Sequence, residues 1–135
     1  MEDVKIKLTI SWLFIAISMT ANTILYFTVP GIIDEVMTGK IVGMQTIPEL
    51  ILVMAIAYFW IPLVLALLSV TLKDKINYWI NIIFGTFYAV FVLFELIMNI
   101  TTVAYPYVIL LDSSVIIVAI MIAWYSWKRK NQLIN

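Results

Sequence analysis

The chain contains no cysteine and no histidine. Without cysteine there is no disulfide, no thiol redox couple and no thiolate metal site. Without histidine, the commonest neutral-pH proton carrier and the commonest metal ligand are both missing. Charge is scarce as well. Only 12% of the 135 residues are Asp, Glu, Lys or Arg, against about a quarter in a soluble domain. So few charges cannot clothe a soluble surface. The sequence also lacks a nucleotide-binding glycine loop, an HExxH pair, a Ser–His combination and a basic groove for nucleic acid. Catalysis would have to rest on carboxylates and tyrosine alone. No enzymatic activity, resident metal or cofactor is expected.

What the chain has is apolar length. Hydrophobic residues make up 64% of it. A bilayer crossing needs roughly 18–20 apolar residues, and four such runs occur, at about 8–29, 50–72, 76–98 and 103–127. They leave no room for a separate soluble domain. The reading is all-α: a single integral membrane four-helix bundle over residues 1–135. The opening "MEDVKIK" is charged but leads into a full-length span without a small-residue cleavage site, as expected of a mature N-terminus.

Basic residues give the orientation. Lys5 and Lys7 precede span 1, Lys73 and Lys75 separate spans 2 and 3, and Lys128, Arg129 and Lys130 follow span 4. Only Lys40 lies in the other connections. The positive-inside rule then places both termini in the cytoplasm, in up-down-up-down order. Trp12, Trp79, Trp124 and Trp127 fall at inner ends, and Tyr26, Tyr105 and Tyr107 near outer ends, as interfacial belts would. In the outer 1–2 loop, "IIDEVM" suits a short amphipathic helix on the membrane surface, ended by Gly39. Thr46, Pro48 and Glu49 form a capping box that starts span 2.

Inside the spans, polar and small residues recur at helical spacing. Asn77, Asn81, Gly85, Tyr88, Val92, Glu95 and Asn99 lie on one face of span 3. Ser11, Ile15, Ser18 and Asn22 do the same in span 1. Span 2 has Ala55, Tyr58 or Phe59, Pro62, Ala66 and Ser69; span 4 has Asp112, Ile116, Ala119, Ala123 and Ser126. In lipid such stripes mark helix–helix faces. Pro62 should disturb span 2 and release a carbonyl.

Two carboxylates lie within these stripes, and no Lys or Arg lies in any span. A charge at bilayer centre costs about 2.5–3.5 kcal/mol on insertion scales. Protonation, a wet cavity, or a bound cation or amine would relieve it. Counting about 1.5 Å per residue puts Asp112 roughly 13 Å deep, below Glu95. The candidate binding residues are therefore Asp112, Glu95, Asn22 and Tyr88, with Glu49, Asp34 and Glu35 at the rim. Asp112 is expected to bond to Ser113, Ser114 or Tyr88 if it is merely structural.

The expected function is an outward-facing acidic cavity that binds or passes a cation, proton or small solute. The alternatives are an accessory or structural membrane subunit, or a lipid- or quinone-handling protein. A wet pocket reaching Asp112 from outside favours the first, a closed dry centre with Asp112 bonded to Ser or Tyr the second, and a lateral opening between helices the third. The bilayer is the expected partner, with a homodimer or larger membrane complex, and no nucleic acid.

The segment "IPLVLALLSVTLKDKINYWINII" (61–83) carries Ile61-Pro62, Leu68-Ser69, Leu72-Lys73, Asn77, Trp79 and Asn81. With "VPGIIDEVMTG" (29–39), "MEDVKIKL" and "WYSWK", it resembles a bacterial family of small four-helix membrane proteins, domain of unknown function 6326. That resemblance implies the fold and a multi-pass place in a prokaryotic plasma membrane, and implies no activity. The family pattern has an acid where this chain has Trp60 and another close to Asn22. By architecture alone the chain is also similar to DoxX-like proteins, some linked to quinone-dependent respiration.

Overall fold

The computed structural model describes residues 2–41, 44–45 and 47–134. Its helices are α1 (Glu2–Thr28), α2 (Ile32–Met37), α3 (Pro48–Thr71), α4 (Asp74–Thr102) and α5 (Pro106–Ile134). Among the described residues, α1, α3, α4 and α5 are long and apolar enough to cross a membrane. They pack side by side: α1 lies against α3 and α5, and the most extensive face is between α4 and α5.

The helices overrun the apolar windows. α1 begins at Glu2, with Glu2 and Asp3 complementing the positive end of the helix dipole. α5 continues through Lys128, Arg129 and Lys130 to Ile134. A backbone leaving hydrocarbon still has its N–H and C=O groups to satisfy, so helix persists into the headgroup layer. The 29 residues of α5 extend about 43 Å, the full bilayer with headgroups.

The α3–α4 and α4–α5 connections are short, and the α1–α3 connection, residues 29–47, is the long one. Pro30 and Gly31, with Gly31 at φ 86°, separate α1 from α2, and Gly39 at φ 81° ends α2 as expected. A two-residue antiparallel pairing follows, Lys40 opposite Gln45 and Ile41 opposite Met44. Thr46, the expected cap of α3, lies outside the described residues. The cap position itself is Ile47, in extended conformation, and Pro48 opens the helix. Ile47 has no polar side chain to cap with. The fixed φ and missing N–H of Pro48 start the helix without one.

The polar stripes turn inward as their spacing predicts. Asn77, Asn81, Gly85, Tyr88 and Val92 are buried in α4, and Glu95 and Asn99 are half-buried. Pro62, Ala66 and Ser69 are buried in α3, and Asp112, Ala119 and Ser126 in α5. Gly85 sits directly on the α5 backbone. A Cβ there would lie 3.1 Å from both the Ala119 carbonyl oxygen and the Ala123 amide nitrogen.

Trp12 departs from expectation. It is fully buried rather than interfacial. Its indole Nε1 donates to Asn81 Oδ1 at 2.6 Å, because an indole N–H taken out of water needs an acceptor. Asn81 Nδ2 donates to Asn77 Oδ1 at 2.7 Å and to the Asn77 carbonyl at 2.8 Å. Asn77 Nδ2 donates to the Ser69 carbonyl at 2.8 Å. This network joins α1, α3 and α4. At the same end, Lys5 Nζ donates to the Leu72 carbonyl at 3.0 Å and pairs with Asp74 at 2.9 Å, tying α1 to the α3–α4 turn. Trp79, Trp124 and Trp127 are exposed, as belt residues are.

Candidate functional site

The site begins with a proline. Ile61 N–H bonds to the Ile56 carbonyl, five residues back, so Ile56–Trp60 form a π-turn. The next bond in that register would run from residue 62 to the Ala57 carbonyl, and Pro62 has no N–H to give. Tyr88 Oη donates to the Ala57 carbonyl instead, at 2.5 Å. The freed carbonyl expected from Pro62 is therefore real, and α4 satisfies it. Tyr88 also packs edge-on against Trp12, 5.5 Å between ring centres.

The extra residue in the turn rotates what precedes it. Tyr58 faces α4 and donates its hydroxyl proton to Glu95 Oε1. The sequence leaves Tyr58 and Phe59 as equal choices for the inner face, and the π-turn decides for Tyr58. Such bulges occur frequently at functional sites. A readable signal existed in retrospect: Tyr58 lies four residues before Pro62, where the helix ladder is already broken.

Across the bundle, Asn22 Nδ2 donates to Asp112 Oδ1 at 3.1 Å. Asp112 is 4% exposed. Its other oxygen, Oδ2, is buried and has no hydrogen-bond partner among the described residues. The expected partners are not used. Tyr88 is engaged at Ala57, and Ser114 Oγ donates to the Leu110 carbonyl at 2.8 Å. In a helix, a serine hydroxyl has its own backbone carbonyl four residues back within easy reach, and takes it. Tyr107 Oη and Asn99 Oδ1, near the same end of the bundle, are likewise buried without a partner among the described residues.

Asp112 and Glu95 lie within electrostatic reach of each other. Counted along the helices, the two acids stand at similar distances from their helix ends. Asp112 is six residues from the start of α5 and Glu95 seven from the end of α4, each about 10 Å in from its helix end. The two acids share one layer with Asn22 and Tyr58. Hydropathy windows stop short at the polar ends of these helices, and counting from the windows sets Asp112 deeper than Glu95.

The other candidates are not drawn into this layer. Glu49 is exposed in the first turn of α3, and Asp34 and Glu35 are exposed on α2. Tyr88 is adjacent but committed to a backbone carbonyl. Two recesses in the surface do not reach Asp112. One is an apolar groove of about 370 Å³ between α4 and α5, bounded by Thr86, Ala89, Ala123, Trp124 and Trp127. The other, about 190 Å³, lies between α1 and α5 and is lined by Lys7, Tyr125, Lys128, Arg129 and Gln132. No His/Cys/Asp/Glu group able to hold a metal occurs among the described residues.

The Tyr88–Ala57 bond can be tested alone. Tyr88→Phe should cost about 1–2 kcal/mol, by orphaning a buried carbonyl. In a Pro62→Ala background, which restores the N–H, the same change should cost clearly less. Equal costs in both backgrounds, measured by reversible unfolding in mixed micelles, would show that the tyrosine does not compensate the proline.

Compared with family models, with curated proteins and with solved structures, the chain has no match.

Proposed function

We propose that the chain is a multi-pass protein of a prokaryotic plasma membrane whose acidic layer binds a cation, a proton or a small solute. Its helices run up-down-up-down with both termini in the cytoplasm, so that the acidic layer faces outward. Seven basic residues on one set of connections against Lys40 on the other support that orientation. Asn22–Asp112 and Tyr58–Glu95 are the two halves of the site.

Neither recess described above opens on Asp112, and one observation carries this reading over an accessory role. Asp112 Oδ2 is a buried carboxylate oxygen without a protein partner among the described residues. No Lys or Arg lies in any of the apolar runs to offset it or Glu95. Intramembrane acids are costly and mark ion or proton pathways. A proton, or a cation shared with Glu95, supplies the missing partner.

Infrared spectra of the reconstituted protein test this, with Na⁺, K⁺ and guanidinium as probes. In the wild type, raising pH or adding one of these cations is expected to bleach a protonated-carboxyl band. Asp112→Asn should remove that band and weaken binding at least tenfold, about 1.4 kcal/mol. Glu95→Gln should shift the band and leave part of the response. A wild-type spectrum that neither pH nor any of these cations alters would sink the proposal.

A second reading has an observation of its own. The groove between α4 and α5 opens sideways, which supports lipid or quinone handling over a central path. Inserting a bulky side chain at Ala89, on the groove wall, distinguishes the two. It should abolish quinone-analogue binding under the second reading and leave cation responses intact under the first.

A further inference from the structure

We propose that the recess between the start of α1 and the end of α5 is a binding site for a phosphate group, supplied by the headgroup of an anionic lipid. This inference stands apart from the acidic layer and would survive its failure.

The recess brings cations from two helices together. Lys7 comes from α1, and Lys128 and Arg129 from α5, with Tyr125 and Gln132 completing the wall. Like charges gathered without an anion repel one another. Among the described residues no carboxylate lines this recess. The ion pair that does occur near this end, Lys5 with Asp74, lies against the α3–α4 turn. Glu2 and Asp3 are exposed on the first turn of α1, and neither pairs with Lys7, Lys128 or Arg129. The cluster is therefore a positive concavity whose own acids do not neutralise it.

The side chains are also placed rather than scattered. Lys7 Nζ lies over the Tyr125 ring, 5.9 Å from its centre. Arg129 is half-buried, and its Nη1 donates to Gln132 Oε1 at 3.2 Å. Its remaining N–H groups keep the planar fork that matches phosphate oxygens. The volume, about 190 Å³, suits a phosphodiester with part of its glycerol, since a liquid water takes about 30 Å³. The depth agrees. α5 leaves its apolar run at Trp127 and α1 enters its own at Leu8, so the recess lies where headgroups do. Basic pockets between spanning helices at this level bind anionic headgroups.

The test uses the full chain in detergent, with phosphatidylglycerol or cardiolipin titrated against phosphatidylcholine and bound lipid counted by native mass spectrometry. Wild type should retain the anionic lipids and shed phosphatidylcholine. Lys128→Gln with Arg129→Gln should weaken anionic-lipid binding at least tenfold. Lys73→Gln with Lys75→Gln, which removes the same charge near the same end, should change it less than twofold. Melting curves of both variants in phosphatidylcholine alone check that each is folded, and Arg129→Lys provides a milder variant with an intermediate loss. Millimolar inorganic phosphate is the competing arm. Displacement of the lipid by it would support the site with soluble phosphate as its source; indifference to it would support the lipid. Equal losses in the two double variants, or equal retention of phosphatidylcholine, would overturn the proposal.

Discussion

Replacing Gly85 with leucine is expected to break the α4–α5 pair and leave a chain that inserts but does not assemble its bundle. The reason is local and steric. Even a methyl group at this position would stand 3.1 Å from two backbone atoms of α5, the Ala119 carbonyl oxygen and the Ala123 nitrogen, and 3.2 Å from Ile122 Cγ2. Backbone atoms cannot rotate away; the helix as a whole must shift. Overpacking a tight site typically costs about 1–3 kcal/mol, and leucine adds three more carbons than alanine at the same point. We expect a loss of about 1 kcal/mol for Gly85→Ala and more than 3 kcal/mol for Gly85→Leu, at the upper end of that range or beyond. The sign of the alanine variant is decisive. In a helix with open space beside it, Gly→Ala gains about 1 kcal/mol. A Gly85→Ala protein more stable than wild type in unfolding titrations would mean that α4 and α5 are not this close. Ile122→Ala should not rescue Gly85→Leu, because it relieves only the side-chain contact.

The same seam shows why so much of the fold could be read from the chain. In lipid, apolar residues carry no information about which face is inside, since tails and core are equally greasy. The rare small and polar residues carry it instead. Asn77, Asn81, Gly85, Tyr88 and Val92, spaced by four, four, three and four, are all buried in α4. Four spanning-length helices followed from composition alone, and all four are present among the described residues. The resolution of that signal is one face per helix. It does not say which residue on one stripe meets which on another.

That limit accounts for the misplacements. Trp12 looked interfacial because indole usually is. Its burial depends on Asn81, sixty-nine positions away, and a pairing across helices leaves no local pattern. Tyr58 could not be separated from Phe59 until the π-turn fixed the rotation of α3. For a merely structural Asp112, the partners near in sequence or on a facing stripe are Ser113, Ser114 and Tyr88; Asn22 reaches it from α1 instead. The relative placement of the two acids depends on where each helix ends. Hydropathy cuts a helix at its first charges, whereas hydrogen bonding carries it on until the backbone meets water. Once α4 is followed to Thr102 and α5 from Pro106, Glu95 and Asp112 come level. Glu95 and Asp112 become two walls of one layer, each acid held by one donor, from Tyr58 and from Asn22.

Asn81→Leu is expected to be the most damaging near-isosteric change in the chain, at about 2–6 kcal/mol if two buried groups are each orphaned at about 1–3 kcal/mol. The Asn81 amide uses both its ends. Oδ1 takes the Trp12 indole proton at 2.6 Å and lies 3.3 Å from Ser69 Oγ. Nδ2 gives its protons to the Asn77 side chain and backbone, at 2.7 and 2.8 Å. Leucine fills much the same volume, so no large cavity opens and the loss is almost wholly polar. Trp12 Nε1 and Asn77 Oδ1 are left buried and unpaired by the substitution. Single interhelical hydrogen bonds in membranes average only about 0.6 kcal/mol, because the separated helices also find partners. An effect confined to one bond would be that small, and the larger figure requires the amide to act as a hub. Trp12→Phe separates these possibilities, since it removes the stranded donor. In the wild-type background it should destabilise, by loss of a bond and of ring area. In the Asn81→Leu background it should cost less by at least 1 kcal/mol, on the scale of one buried unsatisfied donor. Strictly additive losses, read from reversible unfolding of the four proteins of the cycle, would mean that Trp12 and Asn81 are neighbours without being partners, and that this bond does not hold α1 to α4.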